Sequence, residues 1–520
     1  MRFIKMMLVL AGVIVSAWTA TAAGKPSHVV LIVWDGMRPD LISDENTPTL
    51  CQLARRGVTF LHHHPVYICS TEVNGTALAT GVYPGQSTVT ANNEYRAEIN
   101  PSHAVEMQSL ATMRKGDELS NNHYLAVPTV CEILHDNGMR TVVAGSKPVA
   151  LLHDRAARGD DSLGVTVFAG ETLPESWKDK LDGLLGKFPP AGSNKISLDA
   201  WTTKALTGPL WDQGVPPYSL LWQAEPDFSQ HRYSPGAPAA LEAIRHNDEN
   251  LARILDTLKQ KNVLDSTDVI IVSDHGFSTV SENVDVAATL NAHGLHAVRQ
   301  LADGLHEGDI LIVSEGGAVL CYVAGHDEKL IQQTVQYLQA EPCAGVIFTR
   351  KPLAGTFSLA DGHLDSPYAA DIIMAMRWKP GVNVFGVPGL IFADRTSDSS
   401  NKGTHATLSP TEMHNTCIAA GPDFARDMED SLPTGNIDIA PTILWILGVQ
   451  PKQKMSGRVL TEALTIAGPA VESCETHRKE AVRQGDGFTW RQYLEISEVN
   501  GVQYFDQGNG GQESNHSGGN

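Results

Sequence analysis

A repeated alternation of short apolar runs and helical patterns constrains the fold of this chain most strongly. The first run, HVVLIVWDG, begins at His28, is rich in Val and Ile, and is too short for a typical helix, so it predicts a buried strand. TPTLCQLARRG follows with helical spacing, a Thr-Pro start and a Gly stop. The order recurs in TVCEILHDNG with TVVAGS, in NDENLARILDTLKQKNVL with DVIIVSDHG, and in NIDIAPTILWILG. The alternation predicts an α/β fold with a mainly parallel sheet between helices.

The N-terminus has the layout of a cleavable secretion signal. Arg2 and Lys5 precede an apolar run that ends near Trp18, and small residues follow at Ala20–Ala23. We therefore expect residues 1–23 to be a signal peptide and the mature protein to be periplasmic or secreted. No later stretch has the roughly 18 consecutive apolar residues of a membrane span, so no stable span is expected, although an uncleaved signal could still act as an anchor.

Composition divides the rest of the chain into segments. Residues 24–460 carry the strand-helix alternation and form the predicted catalytic domain. Between about 280 and 400 the segments are shorter and glycine-rich, which indicates an inserted, smaller cap subdomain. Residues 461–505 form a C-terminal extension, and the Gly, Asn and Ser-rich stretch 506–520 predicts a disordered tail.

The charge of the chain excludes one class of partner. With 39 basic and 59 acidic side chains the net charge is −20, a surface that repels nucleic acid polymers and anionic membranes. Small phosphorylated substrates remain possible because bound cations can reverse the local field. The seven cysteines leave at least one thiol free, and a bridge between Cys321 and Cys343 is possible.

Four strings combine carboxylates with imidazoles, mostly where predicted strands end. They are VWDG with Asp35, EPDFSQH with Asp227 and His231, VSDHG with Asp274 and His275, and GTHA with His405. Each string alone is more typical of a turn or of a polar surface. In parallel sheets, however, the carboxyl ends of strands share one edge, and these residue types are ligands of Zn²⁺ and similar ions. Together the strings predict a metal site.

In their order, Asp, Thr, Asp-xxx-His, Asp-His and His, these residues resemble the alkaline phosphatase superfamily, and within it the type I phosphodiesterase/nucleotide pyrophosphatase family. The similarity extends over most of residues 28–460, including IDIAPTILWILGV and the MSGR turn. The resemblance implies a mixed, mainly parallel sheet with two divalent ions, expected to be Zn²⁺, at its carboxyl edge. It assigns Asp35, Thr71, Asp274 and His275 to one ion, and Asp227, His231 and His405 to the other.

The same resemblance places a nucleophile within the stretch VYICSTEVNGTALATGVYP, residues 66–84. Matching TGVYP to the same phrase in the family places Thr71, and not Ser70, in the nucleophile position, with Asn74 in the family's Asn position. Metal coordination favours the alkoxide that a threonine nucleophile needs. A helix starting here would present its N-terminus to a phosphate. Asn74 is then expected to donate to a non-bridging oxygen.

Two departures bear on the substrate. Glu72-Val73 stands where the family usually has Phe-Pro, and Gly75 where it has His. Lys147, in VVAGSKPVALLHDR, resembles the lysine of the Lys-x-Arg motif in a related branch of bacterial monoesterases, but Val149 occupies the arginine position. An extra cation favours monoesters, which carry one more negative charge than diesters. The HHH run at residues 62–64 is expected to be exposed.

These observations predict an exported two-metal phosphohydrolase. We expect it to cleave small phosphodiesters or nucleotide pyrophosphates through a covalent Thr71 intermediate. A phosphomonoesterase that uses Lys147 near the phosphate is the alternative, and an inactive binding protein a further one. A sulfatase is disfavoured because residues 69–73, CSTEV, lack the Pro and Arg of the formylglycine motif.

Overall fold

The computed structural model describes residues 28–190, 192, 194–394 and 401–514. The predicted signal peptide therefore lies outside the described residues. The α-helices are α1 (Pro48–Ala54), α2 (Thr71–Thr80), α3 (Pro84–Ser87), α4 (Leu110–Ser120), α5 (Val130–Asp136), α6 (Trp177–Leu185), α7 (Lys195–Thr207), α8 (Asp227–Tyr233), α9 (Pro238–Gln260), α10 (Val286–Ala292), α11 (Glu328–Leu338) and α12 (Asn436–Ile446).

The strands alternate with these helices in the first half of the chain and dominate the second half. They are β1 (His28–Trp34), β2 (Val58–His64), β3 (Asn93–Glu94), β4 (Val105–Glu106), β5 (Thr141–Gly145), β6 (Gly164–Phe168), β7 (Glu171–Leu173), β8 (Tyr218–Gln223), β9 (Thr267–Val272), β10 (Ser278–Val284), β11 (His296–Val298), β12 (Asp309–Ser314), β13 (Ala318–Val323), β14 (Ala344–Thr349), β15 (Phe357–Ser358), β16 (Ile372–Met376), β17 (Trp378–Val382), β18 (Pro388–Asp394), β19 (Gly403–Thr404), β20 (Cys417–Ala420), β21 (Met428–Gly435), β22 (Cys474–Gln484), β23 (Phe488–Val499) and β24 (Val502–Ser514).

A nine-stranded mixed sheet in the order β21-β2-β20-β9-β1-β8-β5-β6-β7 forms the centre of the molecule. The run β9-β1-β8-β5-β6 is parallel throughout, and β2 also pairs with β21 in parallel. β20 and β7 run antiparallel to their neighbours. The predicted mixed, mainly parallel sheet is confirmed.

Helices cover both faces of this sheet, as the alternation predicts. Along β1, Leu31 packs into one core with Leu78 of α2 and Ile443 of α12. The next residue, Ile32, packs into the opposite core, which includes the α9 side chain Ile254. Because successive strand residues point to opposite faces, the apolar run buries both of its sides. This is the reason why β1 lacks the polar alternation of a half-exposed strand.

Residues 278–404 contribute two further sheets. One has six strands in the order β11-β12-β13-β16-β14-β15, and the other has four in the order β17-β18-β10-β19. One face of the six-stranded sheet packs Leu320 and Phe348 into a core that also holds Tyr67 and Cys69. This part of the chain therefore supports the segment that leads into α2.

The prediction of a disordered C-terminal tail is wrong for its first nine residues. Residues 506–514 are not disordered, because β24 extends to Ser514 in an antiparallel sheet of order β22-β23-β24; residues 515–520 lie outside the described residues. The glycines that suggested disorder serve close packing instead. A Cβ on Gly510 would lie 2.2 Å from the carbonyl oxygen of Gly345, so only glycine lets β24 pass there.

The prediction that the HHH run at residues 62–64 is exposed is wrong for two of its three residues. His63 and His64 are buried, at 0% and 4% exposure, since β2 lies between β20 and β21 inside the central sheet. His63 contacts Thr434 Oγ1 and Asn436 Oδ1, at 2.9 and 3.0 Å. Only His62 of the three is exposed.

The described part of the chain has neither a disulfide bond nor a helix that could cross a membrane. All seven cysteines lie within it and all are free, so Cys321 and Cys343 are not bridged. Among the described helices, none combines the length and the apolar character that crossing a membrane requires.

We expect Gly510→Ala to destabilise the fold by about 1–3 kcal/mol, the usual cost of overpacking, and to lower the thermal unfolding midpoint. Gly183→Ala is the matched control, because Gly183 lies in α6, where an added Cβ would meet no neighbouring group within 4 Å, and alanine favours a helix. Equal midpoints for Gly510→Ala and the unmodified protein would show that β24 does not need this glycine.

Candidate active site

Four adjacent parallel strands deliver the candidate residues to one edge of the central sheet. Asp35 follows β1, Lys147 follows β5, Asp227 follows β8 and Asp274 follows β9. These strands are neighbours in the order β9-β1-β8-β5, so their carboxyl ends converge, as expected for a ligand site in such a sheet.

Three buried carboxylates meet at this edge. Asp35 and Asp274 are fully buried and Asp227 is 6% exposed. Asp35 Oδ2 accepts hydrogen bonds from Trp222 Nε1 and Lys147 Nζ. Within the described part of the chain, one oxygen of each carboxylate has no hydrogen-bond partner, namely Asp35 Oδ1, Asp227 Oδ1 and Asp274 Oδ2.

The electrostatics of these carboxylates favour a nearby cation. Burial raises the pKa of Asp35 to about 6. Burial and the nearby Asp35 charge raise the pKa of Asp274 well above its usual value. Burial would also raise the pKa of Asp227, but Lys147 and His231 bring it well below the usual value. Unpaired buried carboxylates are costly, and a bound divalent ion would remove that cost.

Three histidines complete the cluster, and each is oriented by the backbone. The Nδ1 atoms of His231, His275 and His405 lie 2.9 Å from the carbonyl oxygens of Gly403, Gly276 and Cys69 respectively. The Nε2 atoms then face the carboxylates. Such outer hydrogen bonds fix the tautomer of metal-binding histidines. Burial lowers the pKa of His275 to about 4 and that of His405 well below its usual value, so both rings are neutral at pH 7, as ligands must be.

The distances define two groups of ligand atoms. In one group, His275 Nε2 lies 3.3 Å from Asp274 Oδ2 and 3.7 Å from Asp35 Oδ1. In the other, Asp227 Oδ1 lies 3.2 Å from His231 Nε2 and 3.7 Å from His405 Nε2. The atoms of Asp35, Asp274 and His275 could hold one ion, as could those of Asp227, His275 and His405. Nitrogen and oxygen ligands of this kind, with one unpartnered oxygen per carboxylate, fit Zn²⁺.

Thr71 lies at the first position of α2, facing this cluster. Its Oγ1 is 3.5 Å from both His275 Nε2 and Lys147 Nζ. Ser70 is the N-cap residue, but its side chain makes no capping hydrogen bond, and its buried Oγ has no partner among the described residues. The structure therefore brings Thr71, and not Ser70, to the metal-ligand atoms.

Lys147 lies inside the cluster and is not a solvated loop residue. Its Nζ is 2.7 Å from Asp35 Oδ2 and 3.4 Å from Asp227 Oδ2. Burial opposes the charge, but the carboxylates of Asp35 and Asp227 raise the pKa of Lys147 well above its usual value. The lysine is therefore cationic at neutral pH.

Asn74 does not have the position that the sequence analysis predicted. Its Nδ2 donates to the carbonyl oxygens of Val66, Ile68 and Ser70, at 3.1, 3.3 and 3.3 Å. Its Oδ1 accepts from the backbone of Val66. The fully buried amide is occupied in holding the segment before α2, so it has no donor to offer a phosphate.

A nearby amide, that of Asn92, was not predicted to belong to the site. Asn92 Oδ1 accepts a 2.9 Å hydrogen bond from the backbone N–H of Glu72, so the side chain of Asn92 lies against the first turn of α2. No local sequence pattern identifies this residue, because it lies just before β3 and reaches the site only through tertiary contacts such as this one.

The family model for type I phosphodiesterase/nucleotide pyrophosphatase matches residues 29–378. Rat ectonucleotide pyrophosphatase/phosphodiesterase family member 7 is 21% identical over 82% of this chain and 84% of its own length. The bis(5'-adenosyl)-triphosphatase ENPP4 of Pongo abelii is 22% identical over 85% of this chain and 83% of its own length.

Solved structures resemble the fold as well. An inactive variant of murine ectonucleotide pyrophosphatase/phosphodiesterase 5 in complex with AMP matches with a TM-score of 0.59 and 14% identity, over 84% of this chain and 100% of its own. The human protein of the same name also gives a TM-score of 0.59, at 15% identity. The chain belongs to the type I phosphodiesterase/nucleotide pyrophosphatase family of metal-dependent hydrolases and has its alkaline-phosphatase-like fold.

Proposed function

We propose that this protein is an exported two-metal phosphohydrolase that cleaves phosphodiesters or nucleotide pyrophosphates through a covalent intermediate on Thr71. The observation that carries the proposal is the position of Thr71 Oγ1, 3.5 Å from His275 Nε2 and from Lys147 Nζ. The hydroxyl of the neighbouring Ser70 has no partner among the described residues.

Metal ions are required for this chemistry. Asp35, Thr71, Asp274 and His275 would hold one, and Asp227, His231 and His405 the other; Zn²⁺ is the ion we expect. Bound there, the ions supply Lewis-acid stabilisation of negative charge on the reacting oxygens.

The residues of the chain position the substrate. Thr71 Oγ1 loses its proton and attacks phosphorus, so that an oxygen-phosphorus bond forms to Thr71 while the bond to the leaving oxygen breaks and that oxygen takes up a proton. Water then cleaves the Thr71 ester, giving the phosphate product and returning a proton to Thr71 Oγ1. The N-terminus of α2 favours the negatively charged phosphate. Asn92 is held by the backbone of Glu72, which leaves its Nδ2 to donate to a non-bridging oxygen.

A small nucleotide or diester is the substrate class we favour. Support comes from the relatives named as nucleotide pyrophosphatases and as a bis(5'-adenosyl)-triphosphatase, and from the AMP bound to the murine neighbour. The net charge of −20 argues against nucleic acid polymers. The N-terminal signal pattern supports a periplasmic or secreted location.

A specific contact supports phosphomonoesterase activity as the second candidate. Lys147 Nζ lies 3.5 Å from Thr71 Oγ1, close enough to reach a phosphate bound there. A cation in this position favours the doubly charged monoester.

The first test compares bis(p-nitrophenyl) phosphate with p-nitrophenyl phosphate on the metal-loaded enzyme. We expect a higher kcat/KM for the diester, the substrate class that the named relatives support. Differences in kcat/KM measure differential transition-state binding. A clearly higher kcat/KM for the monoester would make phosphomonoesterase the function.

Thr71→Ala should lower kcat for the diester by at least about a thousandfold, as expected for loss of a nucleophile. Ser70→Ala is the matched control, since the Ser70 hydroxyl has no partner among the described residues. Because no contact is lost, this variant should change kcat by less than about threefold. Steady-state kinetics of the two variants decide the assignment, and equal losses would refute it.

Metal analysis tests the ligand sets without reference to turnover. Elemental analysis by mass spectrometry should find two equivalents of zinc in the purified or reconstituted protein and about one in His405→Ala, because that variant lacks one ligand of a single ion. Exposed His62, outside the ligand sets, provides the control His62→Ala, which should keep both ions. Protein that takes up no transition metal would instead be a binding protein without this activity.

A further inference from the structure

The turn between β12 and β13 brings a side chain from the 278–404 part of the chain to Asn92. Glu315 follows β12 directly. Its Oε2 and Oε1 accept hydrogen bonds from the backbone N–H groups of Asn92 and Asn93, at 3.0 and 3.1 Å. Because each carboxylate oxygen takes one of two consecutive N–H groups, Glu315 holds this stretch of backbone in a single orientation.

Three of the four hydrogen-bonding groups of Asn92 are occupied. Its N–H donates to Glu315, and its carbonyl oxygen accepts from the backbone N–H of Met107 at 2.9 Å. Its Oδ1 accepts from the backbone N–H of Glu72 at 2.9 Å, and this contact fixes which way the side-chain amide faces. The remaining group is Nδ2, the donor that the proposed function assigns to a non-bridging phosphate oxygen.

Apolar contacts join the same two parts of the chain on either side of Asn92. Ala91, the preceding residue, is fully buried in one core with Leu311 of β12. Tyr95 packs edge-on against Tyr322 of β13, with ring centroids 5.7 Å apart. Such contacts bring the loop to the six-stranded sheet, but they are not directional. The orientation of the backbone at Asn92 therefore depends on the hydrogen bonds from Glu315.

The turn that carries Glu315 is itself held firmly in place. The backbone N–H of Gly317 donates to the carbonyl oxygen of His405 at 2.9 Å. A Cβ on Gly317 would lie 2.2 Å from that same oxygen, so the turn is packed directly against the backbone of the site. Close-packed contacts of this kind leave little room for displacement, which makes the turn a rigid support for the Glu315 side chain.

We propose that Glu315 is a positioning residue for Asn92, a role that rests on the proposed function. Its carboxylate holds the Asn92 backbone so that Nδ2 points at a non-bridging oxygen of the phosphate as negative charge develops there. A donor fixed in advance stabilises the transition state because it needs no reorganisation during the reaction. Glu315 acts through Asn92 and not on the substrate itself.

The ionisation of Glu315 sets the conditions of the tests. Burial raises the pKa of Glu315 to about 7, whereas the hydrogen bonds from Asn92 and Asn93 lower it. The group is therefore mostly ionised at about pH 8, where both of its oxygens are strong acceptors. Kinetics and hydrogen exchange are accordingly measured at that pH.

Kinetics of Glu315→Ala give the first test. For bis(p-nitrophenyl) phosphate we expect kcat to fall by about tenfold or more, with KM changed by less than about threefold, because a displaced donor affects the transition state most. Glu315→Gln keeps the size of the side chain but offers one acceptor oxygen to two N–H groups, and should lower kcat by about fivefold. Exposed Glu307, in the loop before β12, provides the control Glu307→Ala, which should change neither constant. An unchanged kcat in both Glu315 variants would overturn the proposal.

A double-mutant cycle separates positioning from a general effect on the fold. Asn92→Ala should lower kcat by about a hundredfold, the usual effect of losing one such donor. Adding Glu315→Ala to Asn92→Ala should lower kcat by less than about threefold more, because Glu315 then has no amide left to position. If Glu315→Ala costs the same factor with and without Asn92, the residue does not act through Asn92 and the proposal is wrong.

Hydrogen exchange tests the contact without turnover, so that it can be distinguished from the proposed function. In Glu315→Ala, a peptide spanning residues 89–95 should exchange its protected amide hydrogens about tenfold faster or more, because two N–H groups lose their acceptor. Peptides from α9 should exchange as before and report that the fold is intact. If the enzyme hydrolyses neither ester, the proposed function fails while this measurement still tests the contact. Unchanged exchange over residues 89–95 would overturn the role of Glu315 even in an active enzyme.

Discussion

The convergence of three buried carboxylates at one edge of the central sheet is the constraint on which the site depends. Asp35, Asp227 and Asp274 each keep an oxygen without a partner among the described residues. Placing like charges together in a buried region is unfavourable unless a cation joins them. Lys147 supplies one positive charge, and divalent ions bound at this edge would supply more. The fold therefore carries an electrostatic cost in its interior that a bound metal ion would offset.

A buried amide network holds this edge together. Asn436, at the start of α12, donates to Asn74 Oδ1 and to the carbonyl oxygen of Asp274, at 3.0 and 2.7 Å. Asn74 fastens the segment before α2, and His63 contacts Asn436. Burial lowers the pKa of His63 to about 3, so this ring is neutral and serves the network. α2 and the Asp274 loop are thus linked through side chains outside the candidate metal-ligand groups, an arrangement that favours preorganisation of the site.

Regular patterns made much of the fold predictable. Apolar runs of strand length and helical spacing identified β1, β5, β9, α1, α5, α9 and α12, because periodicity reflects which faces are buried. Polar residues at strand ends identified Asp35, Asp227 and Asp274, since parallel strands share a carboxyl edge. Asn92 was missed because its loop reaches the site only through tertiary contacts. The tail glycines were misread because low complexity in sequence does not distinguish a flexible segment from a strand packed against backbone.

The sequence by itself determined the alternation of strands and helices, the inventory of carboxylates and imidazoles, and the family to which their order belongs. These are properties of local periodicity and of residue type. Only the tertiary structure decided which polar side chains face the site. It turned the amide of Asn74 onto carbonyl oxygens, buried His63 within the central sheet, and placed Lys147 between Asp35, Asp227 and Thr71. The direction of a side chain depends on partners far away along the chain, and hydrogen bonds are formed wherever buried polar groups find them.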